Sequence, residues 1–364
     1  MESKTNENSS RRRFLKKGLT LSVGATLIDL NVKSENVQTN ENVHQELPNK
    51  LMKMFGLKYP IFQAAPGGEE LCIAVANAGA MGAISLTWSS PDDAFQSISR
   101  IKKATKGSFY ANYILHFEPS SLEKAFEAGL TAVQFSWGIP KKEIVEKIRN
   151  AKAKFGVQVS GKDGAKAALD LGADFLICQG MEAGGHVQAT SGLYTALPEV
   201  LSVAKNVPVL TSGGIATGHD IRKAIMTGAS GAVMGTRLIA TKEGDIHDEY
   251  KNEIVKAGEN STVYTNCFNK DWDAMHRVIR NKTFKTWEAV GCPLQGSKPG
   301  ENDIIATLPD GTKFERYGSM LPLNGLQGSL TELAMYAGAG VHKINDLPAA
   351  ADLIKRLWKE YQSK

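Results

Sequence analysis

Ala173-Asp174-Phe175-Leu176-Ile177-Cys178-Gln179-Gly180-Met181-Glu182-Ala183-Gly184-Gly185-His186 is the stretch on which the reading of this chain turns. Its first six residues are an apolar run of the kind a buried parallel strand needs. Its last eight change character abruptly. The paired glycines Gly184 and Gly185 let backbone approach a flat or anionic ligand with no Cβ in the way. His186 then stands at the mouth of the strand, and imidazole is the side chain best suited to moving a proton near neutral pH. Downstream, Pro208-Val209-Leu210-Thr211-Ser212-Gly213-Gly214-Ile215 and Ala232-Val233-Met234-Gly235-Thr236-Arg237 repeat the pattern of a strand ending in glycine or a small polar residue. Three such strands point to one ligand held across their carboxyl ends.

Outward from this stretch the chain keeps a rhythm. Apolar strand candidates start near Pro60, Ala80, Ser108, Thr131, Gly156, Ala173, Pro208 and Gly231. Between them lie segments with apolar residues three and four apart, the mark of amphipathic helices: 71–78, 92–103, 122–128, 142–154, 163–171, 193–205 and 219–227. Gly79, Gly129, Gly172 and Gly228 stand where helices should stop. Eight strand-helix alternations predict a (β/α)8 barrel, with a doubly wound open sheet as the alternative. Residues 242–330 break the rhythm and read as a smaller, mostly helical second domain capping the barrel mouth, and a closing helix returns near Leu347–Tyr361. The expected organisation is therefore a leader over 1–33, a linker over 34–50 rich in Asn, Glu, Gln and Ser, a barrel over 51–241 plus 331–364, and a cap over 242–330.

Chemistry in such a barrel sits at the carboxyl ends of the strands, and a phosphate site commonly forms after strands seven and eight. Gly213 and Gly214 follow the seventh, Gly235 and Thr236 the eighth. Backbone N–H groups freed by glycine, with the Thr236 hydroxyl, can cradle a monophosphate. The chain has no Gly-x-Gly-x-x-Gly and no P-loop, which favours a mononucleotide such as FMN over a dinucleotide. Lys162, just past the fifth strand, reads either as a charge beside the flavin ring or as a solvated lysine opening a helix. Trp88 and Trp137 read as pocket walls or core. Met234 fills the barrel better than it contacts a ligand, and Glu182 anchors its loop.

The amino terminus differs from the rest. Ser10-Arg11-Arg12-Arg13-Phe14-Leu15-Lys16-Lys17 precedes a short, weakly apolar stretch that is too short and too polar for a stable membrane span. It resembles a twin-arginine export signal, so an exported, periplasmic protein that folds around its cofactor before crossing is expected. Residues 1–33 carry seven Lys/Arg and three acids, a net +4 of the chain's +5, so the basic character belongs to the leader. No basic stripe with interleaved aromatics exists to bind nucleic acid. None of the four cysteines forms a Cys-x-x-Cys pair, so no metal site is expected. Cys267 and Cys292 lie in a polar region where an oxidising compartment would let them pair.

Gln179 through His186, Ser212-Gly213-Gly214-Ile215-Ala216 and Met234-Gly235-Thr236-Arg237 with Ala240-Thr241 together resemble the nitronate monooxygenase family, formerly called 2-nitropropane dioxygenases. The likeness runs from about Tyr59 to Thr241 and returns at Gly338-Ala339-Gly340-Val341. It implies an FMN-binding barrel with a small second domain. It further implies that Asn112 and Gln179 contact the flavin, that Gly184 and Gly214 approach it through backbone, that Val233, Met234, Gly235 and Thr236 hold its phosphate, and that His186 is the base or orients the nitro group. The substrate would be a small nitronate or nitroalkane oxidised by dioxygen to a carbonyl compound and nitrite. Two departures stand out. The family's Gln-Ala-Pro-Met is here Gln63-Ala64-Ala65-Pro66-Gly67-Gly68. A family histidine at the end of strand four is absent from Ser136-Trp137-Gly138. The alternatives are an FMN-dependent NAD(P)H reductase of the same superfamily, acting on a quinone or enoyl thioester, and a non-catalytic exported binding protein.

Overall fold

In the computed structural model, which describes residues 37–363, all eight expected strands are present. They are β1 (Ile61–Gln63), β2 (Gly82–Ser85), β3 (Phe109–Ile114), β4 (Ala132–Ser136), β5 (Lys154–Val159), β6 (Phe175–Gln179), β7 (Val209–Ser212) and β8 (Gly231–Met234). All neighbours pair in parallel, and β8 pairs back to β1, Phe62 opposite Val233. The remaining seam is closed by a parallel bridge between Phe62 and Met81, with Gln63 N–H donating to Met81 O at 2.9 Å and Met81 N–H to Ile61 O at 2.9 Å. The sheet is thus a closed barrel, and the open doubly wound alternative falls away.

Strand residues alternate between the two faces. Phe62, Ala83, Tyr110, Phe175, Ile177, Leu210 and Val233 fill the barrel interior, while Ile61, Ala111, Val133, Leu176, Cys178, Val209 and Met234 pack outward with the helices. The same period carries upward along each strand and decides which side chains face the cavity at the top. Helices come close to expectation, except that the predicted 142–154 helix ends at Asn150. The chain turns through Lys152, with φ 54°, and starts β5 at Lys154.

The stretch read as a linker, 34–50, is instead helical from Val37: helix α1 runs Val37–Phe55. Leu51 and Phe55 bury their side chains among the barrel-filling residues, and Phe55 meets Phe62 and Phe175 edge-on at 5.8 and 5.6 Å between ring centroids. The helix is a stopper for the amino-terminal end of the barrel. Polar composition concealed it, because only a few apolar residues near its carboxyl end make the contact. The arginine-bearing leader, residues 1–33, lies outside the described residues, and no described helix is long and apolar enough to cross a membrane.

After β8 the chain makes one helical turn, Thr236–Ile239, then leaves the barrel. The eighth barrel helix is the last one, Ala350–Gln362, which packs against the helices Gly218–Met226 and Gly68–Asn77. The segment between is not mostly helical, as the sequence reading had it. Its helices Asp248–Lys256 and Lys282–Ala289 share it with strands Thr262–Thr265, His276–Ile279, Ile304–Thr307, Lys313–Glu315 and Gln327–Gly328. These form two three-stranded antiparallel sheets, and the first recruits Gly185–His186 from the decisive octet as its edge. β-Branched and aromatic residues favour the pleated form here, with Val278 packing beside Phe268, Phe284 and Trp287 in a separate small core. Cys267 is buried in that core and Cys292 is exposed, and both are free thiols, so the pairing considered from sequence is not made.

Phe55→Ala removes the stopper's aromatic contacts and should cost about 3–5 kcal/mol of stability, the usual range for a buried phenylalanine truncation. Denaturant unfolding followed by circular dichroism measures it; a loss below about 1 kcal/mol would mean that α1 does not seal the barrel.

Candidate active site

The carboxyl ends of the strands open into a cavity of about 700 Å³. Its floor follows from the strand alternation: Asn112, Gln134, Ser136, Gln158, Gln179 and Ser212 occupy inward positions above the apolar filling. Carboxamides dominate this floor and hold one another. Asn112 Nδ2 donates to Gln134 Oε1 at 2.6 Å. Gln188 N–H donates to Gln179 Oε1 at 2.9 Å. Gln188 Nε2 donates to the Gln158 carbonyl at 3.0 Å, while its Oε1 accepts from Trp137 N–H at 2.8 Å. Asn112 and Gln179 are thereby fixed in rotamer, a requirement for polar groups that must meet a flat ligand edge-on.

Along one side four loops converge with little between their backbones. A Cβ on Gly340 would lie 2.2 Å from the Gly214 carbonyl, and one on Gly184 would lie 2.5 Å from the Gly338 nitrogen. Only glycine fits at either place, and the packing brings Gly213, Gly214, Gly235 and Gly338 to one wall of the cavity. The N–H groups of Gly213, Gly214 and Gly235 donate to no acceptor among the described residues, although each sits at the cavity. The Thr236 hydroxyl oxygen accepts from Gly338 N–H at 3.0 Å and keeps its own hydrogen free. Unpaired donors in a glycine-built recess are an anion cradle.

His186 is held by β-pairing. It lies opposite His276 and Gly185 lies opposite Arg277. Val187 N–H donates to Met275 O at 2.8 Å, and Arg277 Nε donates back to Met181 O at 2.9 Å. The imidazole stacks on Trp272 at 4.3 Å between centroids and 29° between planes, with Tyr336 at 5.3 Å. Its Nε2 is buried and has no hydrogen-bond partner among the described residues. Burial, with a smaller contribution from His276, pulls its pKa down from 6.5 to about 3. His276 is a different case. Its Nδ1 meets the Ala274 carbonyl at 2.9 Å and its Nε2 accepts from Phe268 N–H at 3.1 Å, so both ring nitrogens are used structurally. Burial lowers its pKa to about 4.

The residues singled out from sequence mostly meet here. Asn112, Gln179, Gly184, Gly185, His186, Gly213, Gly214, Val233, Gly235 and Thr236 all line the one cavity. Met234 does not: it faces the helix layer, because Val233 before it takes the inward position. Lys162 lies by a separate surface hollow, beyond Gln158, and has no place at the cavity. Glu182 anchors its loop as read, accepting from Leu193 N–H at 2.8 Å. Trp88 and Trp137 are walls of the cavity. Gln134, Gln158, Trp272 and Tyr336 were not anticipated. The two glutamines could have been found by counting in twos along β4 and β5; the other two come from the cap and its return segment, where no periodicity places them.

A closed (β/α)8 barrel with a wall of unpaired glycine N–H donors, an amide floor and a buried imidazole at its carboxyl end has the architecture of a barrel enzyme. The profile of the nitronate monooxygenase family matches residues 117–360. The chain belongs to that family and is an oxidoreductase of the flavin-dependent type. A probable nitronate monooxygenase of Staphylococcus saprophyticus is 28% identical over 271 residues, 61% of this chain and 76% of that protein. A (3aS,4S,5R,7aS)-5-hydroxy-7a-methyl-1-oxo-octahydro-1H-indene-4-carboxyl-CoA dehydrogenase of Mycobacterium tuberculosis is 27% identical over 293 residues, 78% of this chain and 79% of that one. Among solved structures, FabK from Thermotoga maritima shares the fold with a TM-score of 0.73 at 24% identity, covering 86% of this chain and 96% of its own. Nitroalkane oxidase from Streptomyces ansochromogenes does so with 0.68 at 23%, covering 85% and 97%.

Both depressed imidazoles tie stability to pH. In the unfolded chain each takes up a proton near pH 6.5, whereas in the folded protein they resist protonation down to about pH 3 and 4. Between those limits the unfolded state binds more protons, so stability should fall as pH falls from about 6.5 and level off below the folded values. Urea midpoints from pH 7 to 4 measure this, and a His276→Gln variant that kept the wild-type slope would contradict the assignment.

Proposed function

We propose that this enzyme binds FMN and oxidises alkyl nitronates, or the parent nitroalkanes, with dioxygen, releasing a carbonyl compound and nitrite. The observation that carries the reading is the meeting, in one cavity, of unpaired glycine N–H donors and a buried imidazole with an orphaned nitrogen. The residues present fit such a cofactor. Gly213, Gly214 and Gly235 N–H, with the Thr236 hydroxyl, would hold the phosphoryl end. Asn112, Gln134 and Gln179 would meet the heteroaromatic edge, and Gly184 and Gly185 would leave room for the ring. When bound, the flavin supplies the electron-transfer and dioxygen chemistry, and the protein supplies placement and electrostatics.

His186 contributes as a neutral group. A conjugate acid near pKa 3 is far from the operating pH, so this imidazole is poorly matched to taking a proton from carbon. It is well suited to hydrogen-bonding a nitro oxygen in a dry site, where one aimed hydrogen bond counts for more than in water. Of the two roles considered from sequence, orientation of the substrate is the one we adopt. The leader's likeness to a twin-arginine signal supports export from the cytoplasm, after folding around the cofactor.

A second reading, an NAD(P)H-dependent reductase on the same scaffold, draws on Trp137 standing where the family often has a histidine and on the dehydrogenase among the relatives. A visible spectrum of the purified protein, then oxygen uptake with propyl-1-nitronate and, separately, anaerobic mixing with NADH and NADPH, tells the two apart. Oxygen uptake with no bleaching by either nucleotide supports the monooxygenase; rapid bleaching without nitronate turnover replaces it. In the same assay His186→Leu should retain FMN while kcat falls about 100-fold, the scale of one lost transition-state hydrogen bond, and His186→Asn, which keeps a donor, should lose less than about 10-fold. Full turnover in the leucine variant would remove His186 from the chemistry.

A further inference from the structure

The lining of the active-site cavity has a charge inventory that the family reading does not require. Among the described residues, no lysine and no arginine lines it; its only charged side chains are the carboxylates Asp245 and Asp271. Each keeps one oxygen without a protein donor. Asp271 Oδ2 accepts from Ser319 N–H at 2.7 Å and from the Ser319 hydroxyl at 3.1 Å, and Asp245 Oδ1 accepts from Asn324 at 2.7 Å, while their other oxygens accept from no side chain. His186 is neutral and adds no positive charge. Unpaired N–H donors that could welcome an anion gather at the glycine wall.

The roof is aromatic. Trp272 meets Trp137 at 4.8 Å and Phe117 at 5.8 Å, both edge-on, and stacks on His186. Trp88, 67% exposed, extends this wall to the rim and meets Phe117 at 5.7 Å. An exposed tryptophan at a cavity mouth, continuous with buried aromatic faces, is a surface for a flat apolar group or for a cation over a ring. With carboxylates and no counter-ion nearby, a second anion entering this space would be desolvated without compensation.

We propose that the roofed part of the cavity takes a flat, apolar group that is uncharged or cationic, and turns away substrates bearing a carboxylate or phosphate on that group. This goes beyond the nitronate reading and does not depend on it. Within that reading, it singles out nitro compounds with an aromatic or alicyclic body and disfavours nitronates that carry a second negative charge. Within the reductase reading, it leaves a nucleotide's phosphates without a cationic partner along the lining.

The test is binding, not turnover, on the protein as purified with whatever cofactor it carries. Three probes share one ring and differ in charge: tryptamine, indole-3-acetamide and indole-3-acetate. Calorimetric titration should give tryptamine and the amide at least about 10-fold tighter than the acetate, the scale of one favourable ring or charge contact in a partly desolvated site. Tryptamine should also bind more tightly than the amide, and Asp245→Asn with Asp271→Asn should erase that lead and leave the amide unchanged. Trp272→Ala should weaken all three; because that tryptophan is buried, Trp88→Ala at the exposed rim is the second variant and should weaken them about 3-fold or more with the fold intact. Acetate binding as tightly as the others, charge order unmoved by the aspartate changes, or failure of every ring probe to bind would overturn the proposal. The nitronate reading fails separately, through absent oxygen uptake.

Discussion

Two residues from the barrel and two from the cap carry more of this structure than their number indicates. Gly185 and His186 add an edge to the sheet of the cap by pairing with Arg277 and His276. That antiparallel contact does three things at once. It fixes the loop after β6, with Arg277 bonded to the Met181 carbonyl. It orients the imidazole against Trp272. It also joins the cap to the loop that leaves the barrel floor at Gln179, beside the cavity. A side chain on an ordinary loop would not be held so closely, because loops lack such pairing.

The barrel was legible because its physics is repetitive. Eight apolar runs buried on both faces, seven of them followed by an amphipathic helix and four of those helices ended by a glycine, admit few arrangements, and the delayed last helix was recognisable from its own periodicity. The cap was less so. Its strands are short, its cores are small, and some of its hydrogen bonds reach segments distant in sequence, including the octet itself. Helix α1 was hidden by polar residues, since a stopper needs only Leu51 and Phe55 at the barrel base.

At the site, the glycine turns and His186 stood out because a strand ending in paired glycines has few structural reasons to exist. Met234 was misplaced by one step of the strand period, which is enough to turn a side chain from cavity to helix layer. Trp272 and Tyr336 were out of reach of any local pattern, because they arrive through the cap's own fold. The family likeness located the glycine wall, which is backbone, more readily than the wall of Trp272 and Tyr336, which is side chain.

That division has an evolutionary reading. The unpaired glycine donors belong to the barrel, beside the return segment 336–341, whereas the roof ring Trp272 hangs from 269–273, a loop pinned by Asp271 on Ser319. Because that anchor lies within the cap, the loop can change its sequence without disturbing the glycine wall. New chemistry-neutral appetites could then be acquired by this scaffold while its redox core stayed untouched.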